Sequence, residues 1–195
     1  MPMNRRSKVY CAGFSLVELV ITMMIMIILV GVVSMRATNL TTGARAGKIV
    51  ATVEALRAPV VVYREDLGQW PIELSTSTSA KVHQLAFDPG FDGWDGPYIG
   101  GPIRRSLNPT GGSINVFSEI PDSYSNSNGI DLDGDGTPDL SGPEGCLILF
   151  TGVDKEIAME VDATLDKDVQ GPWTDAGRVE YEEAKGQLSV LLASD

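Results

Sequence analysis

The chain has 195 residues, which suits one ordinary domain with an appendage, and its formal net charge at pH 7 is −11. An acidic surface repels nucleic-acid phosphate, and no local basic patch stands out in the sequence, so no nucleic-acid partner is expected. The single histidine excludes a zinc site built from several histidines.

The first 35 residues combine a basic leader with a long apolar run. Residues 1–13 contain three basic side chains and no acid. Residues 14–35 contain a single ionisable side chain, Glu18, and about twenty residues at roughly 1.5 Å per residue are enough to cross a bilayer core. The basic residues before this candidate span favour a cytoplasmic N-terminus, which would place the following residues outside.

Three kinds of N-terminal segment fit such a beginning. An ordinary secretory signal usually has a shorter apolar run that ends at a small-residue cleavage site, and no clear site ends this one. A lipoprotein signal carries its cysteine after the apolar run, whereas Cys11 precedes it. The third kind is a retained anchor whose short basic leader is cut on the cytoplasmic side, and the residues favour it.

Residues 13–20, Gly-Phe-Ser-Leu-Val-Glu-Leu-Val, resemble the prepilin cleavage and methylation motif of type IV pilins and type II secretion pseudopilins. The resemblance implies that a prepilin peptidase cuts after Gly13 and that the new N-terminal residue, Phe14, is methylated. It also assigns Glu18 an assembly role, as the counter-charge for the Phe14 amine of a neighbouring subunit. A carboxylate within an apolar helix costs on the order of 3 kcal/mol, so such residues usually have a partner.

This resemblance implies a structural subunit of a filament like the type II secretion pseudopilus. Its expected partners are identical or related subunits, the peptidase and an inner-membrane assembly platform. Before assembly the anchor would lie in inner-membrane lipid, with the head on the periplasmic or extracellular side. Two alternatives stay open: a type IV pilus subunit, and a secreted or anchored monomeric binding protein stabilised by calcium.

The apolar run continues into an amphipathic helix at residues 36–66. Apolar residues recur there at three- and four-residue spacing between charged ones, so we predict one long helix from Phe14 to Asp66. Pro59 is expected to kink this helix. Gly68 and Pro71 are expected to end it, as in the exit of the long helix in many pilins.

The remaining residues, 67–195, are predicted to form a β-rich head. Residues 93–99, around Trp94, resemble an aromatic turn of major pseudopilins. Short strands are predicted at 114–117, 146–150, 178–182 and 188–192, the last two forming a hairpin, whereas 155–164 fits a strand or a short helix. The predicted fold class is therefore α+β, a long helix packed on a small antiparallel sheet, and the resemblance implies the pilin fold.

Residues 131–139 form an acidic loop that indicates a calcium site. Hard carboxylate oxygens interleaved with glycine suit Ca²⁺, with a backbone carbonyl at the seventh position. The glutamate expected at position twelve is replaced by Gly142, so this is not a helix–loop–helix sensor. The resemblance also implies calcium, since major pseudopilins carry a calcium site in a comparable loop. The expected ligands are Asp131, Asp133, Asp135, Thr137 and Asp139.

The sequence contains no recognisable catalytic motif, so we expect no enzyme. His83 lies beside Gln84 in a polar context that is typical of a surface residue. Cys146 precedes an apolar run and is expected to be a buried structural thiol. No nucleophile motif of the G-x-S-x-G type is present.

Overall fold

The computed structural model describes residues 14–120 and 129–195. A long helix, α1 (Leu16–Leu67), comes first, and an antiparallel sheet with a second helix follows, so the α+β class is confirmed. The chain divides into two compact units, Met1–Leu40 and Thr41–Asp195. We call the second one the head unit.

The head unit contains a five-stranded sheet in which every neighbouring pair is antiparallel. The spatial order of its strands is β1-β2-β3-β5-β4. Their bounds are β1 Glu73–Leu74, β2 Ile114–Phe117, β3 Gly145–Thr151, β4 Val179–Glu182 and β5 Gln187–Ser194. The four predicted strands and the hairpin between β4 and β5 are confirmed. Residues 155–164, for which the sequence fitted either a strand or a short helix, lie in a helix, α2 (Lys155–Leu165), which begins after Asp154.

One face of the sheet packs against the amphipathic half of α1. Because apolar residues repeat at three and four positions, the helix buries one continuous stripe. The stripe consists of Ala46, Ile49, Val53, Leu56, Val60 and Tyr63. Alternate residues of the central strands meet it, including Ile148 and Phe150 of β3 and Val190 of β5. Cys146 is buried in this core, as predicted, and burial raises the pKa of its thiol well above the ordinary range.

The opposite face of the sheet is covered by Ile120 and by residues 129–140, which lie between β2 and β3. Leu147 and Leu149 point to this side, because successive residues of a strand alternate between faces. They form a second apolar cluster with Ile120, Ile130 and Leu191. The acidic loop therefore belongs to a packed layer of the head unit.

Helix α1 ends at Leu67, and the next residue, Gly68, adopts a left-handed backbone conformation that favours glycine. Gly68 has a φ of +68° and its N–H donates to the carbonyl of Arg64 at 2.8 Å, a helix C-cap that favours glycine. The aromatic turn predicted around Trp94 packs beside this end. The Tyr98 ring contacts Trp94 and Tyr63 edge to face, and its hydroxyl donates to Asp66 at 2.8 Å.

Candidate functional site

The N-terminal apolar segment is Leu16–Ser34, with a mean hydropathy of 2.9. None of its residues is buried within the structure, and it is long and apolar enough to cross a membrane. A signal sequence near the N-terminus can also be this long and apolar, so length and composition alone fit either role. Gly13, the predicted cleavage residue, lies outside the described residues, and Phe14 is 81% exposed.

Glu18 lies in the first turn of α1 and is exposed. Ser15, the residue just before the helix begins, caps it, since the Ser15 hydroxyl accepts the N–H of Val17 at 3.3 Å. An acidic side chain at this position interacts favourably with the positive end of the helix dipole. The carboxylate of Glu18 thus contributes to the helix start whether or not a neighbouring subunit binds it.

The acidic loop is closed at its base by a short antiparallel bridge. Ile130 donates its N–H to the carbonyl of Leu140 at 2.8 Å and accepts the N–H of Leu140 at 3.1 Å. Ile130, Leu132 and Leu140 also pack in the apolar cluster on the far face of the sheet. The loop is therefore held at both ends by backbone pairing and by apolar contacts.

Asp131 organises the interior of the loop. It is 4% exposed, and its two carboxylate oxygens accept the N–H groups of Gly134 at 2.7 Å and Gly136 at 2.8 Å. Asp139, at the other end, accepts the N–H of Leu132 at 2.8 Å. These bonds bend the backbone so that carboxylates distant in sequence approach one another.

Three of the predicted metal ligands come together. Asp131, Asp133 and Asp139 each offer a carboxylate oxygen, and these oxygens lie within 4.8 Å of one another. Two ligands on opposite sides of Ca²⁺ are about 5 Å apart, because each Ca–O distance is about 2.3–2.6 Å. The three oxygens are therefore spaced for one shared cation, and oxygen-only donors suit a hard ion.

The other two predicted ligands bind each other. The Oδ1 atom of Asp135 accepts the backbone N–H of Thr137 at 2.8 Å and also its hydroxyl. These hydrogen bonds lower the pKa of the exposed Asp135 carboxyl. Asp135 and Thr137 thus lie outside the group of three carboxylates, and their predicted ligation stays a prediction.

Gly134 permits the loop to lie against a neighbouring segment. Its φ is +78°, and a Cβ atom there would meet the carbonyl oxygen of Gln170 at 1.7 Å. Beside this contact, Gly177 donates its N–H to the carbonyl of Asp131 at 2.7 Å. The candidate site is therefore supported by one segment, residues 170–177, that lies far from the acidic loop in the sequence.

His83 is not the surface residue that the sequence predicted. It is 5% exposed, and its Nδ1 lies 3.0 Å from Oε2 of Glu73, which is 0% exposed. Its Nε2 lies 3.0 Å from the carbonyl oxygen of Ser77, so this nitrogen carries a proton and donates it. The prediction was wrong because Glu73 lies ten residues away and meets His83 only through the bridge at β1. Both ring nitrogens are engaged, so the imidazole serves structure.

A cleft of about 470 Å³ opens beside the end of α1. Arg64 lines this cleft. Its guanidinium lies 5.0 Å from the centre of the Trp70 ring and forms an ion pair with Asp195 at 2.7 Å. The charge of Arg64 is therefore already balanced by the head unit itself. We find no nucleophile with an adjacent base among the residues that line this cleft.

Comparisons with known proteins leave the chain without a family. No family model, no curated protein and no solved structure matches it.

Proposed function

We propose that the chain is a membrane-anchored structural subunit of a helical filament of the type II secretion pseudopilus kind. One observation carries the proposal: a fully exposed apolar helix, Leu16–Ser34, begins just after Phe14 and contains Glu18 in its first turn. An exposed apolar surface of this size needs lipid or apolar protein as its surroundings. A filament subunit has both, lipid before assembly and neighbouring helices afterwards.

In this proposal the leader is removed before assembly. A prepilin peptidase cuts after Gly13, and the amine of Phe14 becomes the new N-terminus. The amine then pairs with Glu18 of a neighbouring subunit, which compensates the carboxylate within the apolar surroundings. Identical or related subunits and an inner-membrane assembly platform complete the set of partners.

Calcium is the proposed cofactor of the head unit. Asp131, Asp133 and Asp139 would hold the ion, because their oxygens already lie within the spacing of one calcium shell. The ion neutralises carboxylates that otherwise repel one another. It thereby fixes the acidic loop on the far face of the sheet without any catalytic step.

Two alternatives use the same residues. A type IV pilus subunit would have the same anchor and the same processing, and the aromatic turn and acidic loop favour the secretion filament over it. A secreted or anchored calcium-stabilised monomer would use the apolar segment as a signal or a simple anchor. In that case Glu18 would have no role in self-association.

The assembly role of Glu18 can be tested by substitution. We expect Glu18→Ala to insert into the membrane at least as well as the original chain, because an intramembrane charge worth about 3 kcal/mol is lost. We also expect it to lose filaments in electron micrographs of cells that overproduce the subunit. Thr22→Ala is the matched control, since that hydroxyl bonds to the Leu19 carbonyl of its own helix at 2.9 Å.

Filaments of normal number and length from Glu18→Ala would contradict the pairing. Loss of filaments with both variants would instead show that any polar change in this turn disturbs the helix. Only a loss confined to Glu18→Ala supports the proposed assembly role.

A further inference from the structure

The head unit contains a basic patch that the sequence did not reveal. Arg45 and Lys48 lie one turn apart on α1, and both are exposed. The Nζ of Lys48 donates to the carbonyl oxygen of Ser106 at 2.8 Å, which brings the exposed pair Arg104 and Arg105 beside the helix. We call these four cations the basic patch.

The cations of the basic patch are not neutralised by nearby acids. Within residues 14–120 and 129–195, none of the four forms an ion pair with a carboxylate. The contact of Lys48 with a carbonyl oxygen leaves its charge uncompensated. By contrast, Lys155 pairs with Glu183 and Lys185 pairs with Glu182, each at 2.9 Å. The basic patch thus brings four exposed cations together on a chain whose net charge is −11.

The two sequence segments that form the basic patch contain no acidic residues. No Asp or Glu occurs in residues 19–53, which contain Arg45 and Lys48, or in residues 96–118, which contain the two arginines. Arg45 follows Ser34, the last residue of the apolar segment, by only eleven positions. Even a fully extended chain of that length spans at most about 40 Å. The chain therefore limits how far the basic patch can move from any membrane that the apolar segment crosses.

We propose that the basic patch binds the anionic lipid headgroups of the membrane in which the apolar segment is anchored. The proposal rests on the membrane anchoring within the proposed function and does not depend on filament assembly. Each basic side chain close to an anionic surface strengthens binding by roughly fivefold. Leu107 lies beside the two arginines with 39% of its surface exposed, so an apolar side chain accompanies the charges into the interface.

Lipid is a better partner for this surface than nucleic acid or a second copy. The net charge of −11 repels a polyphosphate that approaches from solution, whereas a tethered membrane needs no approach. A second copy would have to be captured from solution or from the membrane plane. The anionic headgroups are already present at high local concentration, which favours the tethered encounter.

The test uses the full chain in lipid nanodiscs with one chain per disc. Hydrogen exchange of residues 103–110 is compared between phosphatidylcholine discs and discs that also contain phosphatidylglycerol. We expect exchange to be about fivefold slower in the anionic discs, and we expect high salt to remove the difference because it screens the charges. The double variant Arg104→Gln/Arg105→Gln keeps Arg45 and Lys48, so it should show a much smaller difference between the two compositions.

A matched control removes the same charge elsewhere. The double variant Lys155→Gln/Lys185→Gln also loses two exposed cations, and it should keep the protection of residues 103–110. Equal exchange in both compositions, or loss of protection in both double variants, overturns the proposal. Protection that appears in neutral discs with two chains, or with added DNA duplex, assigns the basic patch to protein or nucleic acid. A chain that enters neither kind of disc contradicts the anchoring itself.

Discussion

Among single side chains, the buried pair of Glu73 and His83 shows how the head unit holds its edge strand. The carboxylate of Glu73 contacts His83 through one oxygen and accepts the N–H of Leu85 at 2.8 Å through the other. Burial raises the pKa of Glu73, while the hydrogen bonds from His83 and Leu85 act against that rise. The pair thus joins strand β1 to the chain that follows it.

Replacement of His83 should therefore lower the stability of the head unit. We expect His83→Ala to lower the free energy of unfolding by about 3 kcal/mol, because it leaves a buried carboxyl without its partner. Glu73→Gln should cost only about 1 kcal/mol, since its amide still accepts the N–H of Leu85 and donates to Nδ1. Urea denaturation of both variants measures the two values. An equal loss, or a loss below about 1 kcal/mol for His83→Ala, would argue against this role.

Residue burial could be predicted where apolar neighbours determine it. Cys146 precedes a run of apolar residues, and its burial was predicted correctly. His83 has polar neighbours, so the sequence favoured the surface, and only the bridge at β1 brings Glu73 to it. The basic patch was missed for the same reason, because Lys48 and Arg105 are 57 positions apart in the sequence. Polar pairs distant in sequence leave no local pattern.

At the level of elements, periodicity predicted the helices and strands that bury a face. The stripe from Ala46 to Tyr63 follows from three- and four-residue spacing, and β2 alternates buried and half-buried residues. Strand β3 was predicted instead from a short continuous apolar run between turns. Strand β1 has only two residues, which is too short for a repeat to be recognised. Helix α2 is short and buries only three residues, so its pattern also fitted a strand. Nothing in the sequence indicated that the acidic loop covers the far face of the sheet.

The acidic loop should bind calcium and stabilise the head unit. A ligand that binds only the folded state at a hundred times its Kd adds about 2.7 kcal/mol of stability. For residues 41–195 this corresponds to a rise in Tm of roughly 5–10 °C over the chelator control. Calorimetric melting with calcium, magnesium and chelator measures the effect, and calcium should act more strongly than magnesium because the loop offers several carboxylates.

The geometry also separates two exposed aspartates in that loop. Asp133 belongs to the group of three close carboxylates, whereas Asp135 bonds to Thr137. Asp133→Asn should remove most of the calcium-dependent rise in Tm, and Asp135→Asn, with the same change in charge, should retain more of it. An identical Tm in calcium and in chelator for the original head unit would show that the loop is only an acidic turn.

On the scale of the whole molecule, the two units differ in how much apolar surface they expose. The described part of the N-terminal unit exposes an apolar helix, whereas the head unit buries two apolar clusters, one on each face of its sheet. The first part is long and apolar enough to cross a membrane, whereas the second has the buried core of a water-soluble fold. The apolar length was evident from the uninterrupted run at residues 14–35, because such a run can be recognised without any tertiary contact.

We propose that this apolar segment is a processed filament anchor, and identification of the mature N-terminus is the sharpest test of that claim. The full chain is produced in cells that contain a prepilin peptidase, purified from membranes and examined by mass spectrometry. We expect the mature chain to begin at Phe14 with a methylated amine, and a Gly13 substitution to leave the leader attached. A chain that still begins at Met1, or one that is cut near Ala37 after the apolar segment, would contradict the claim.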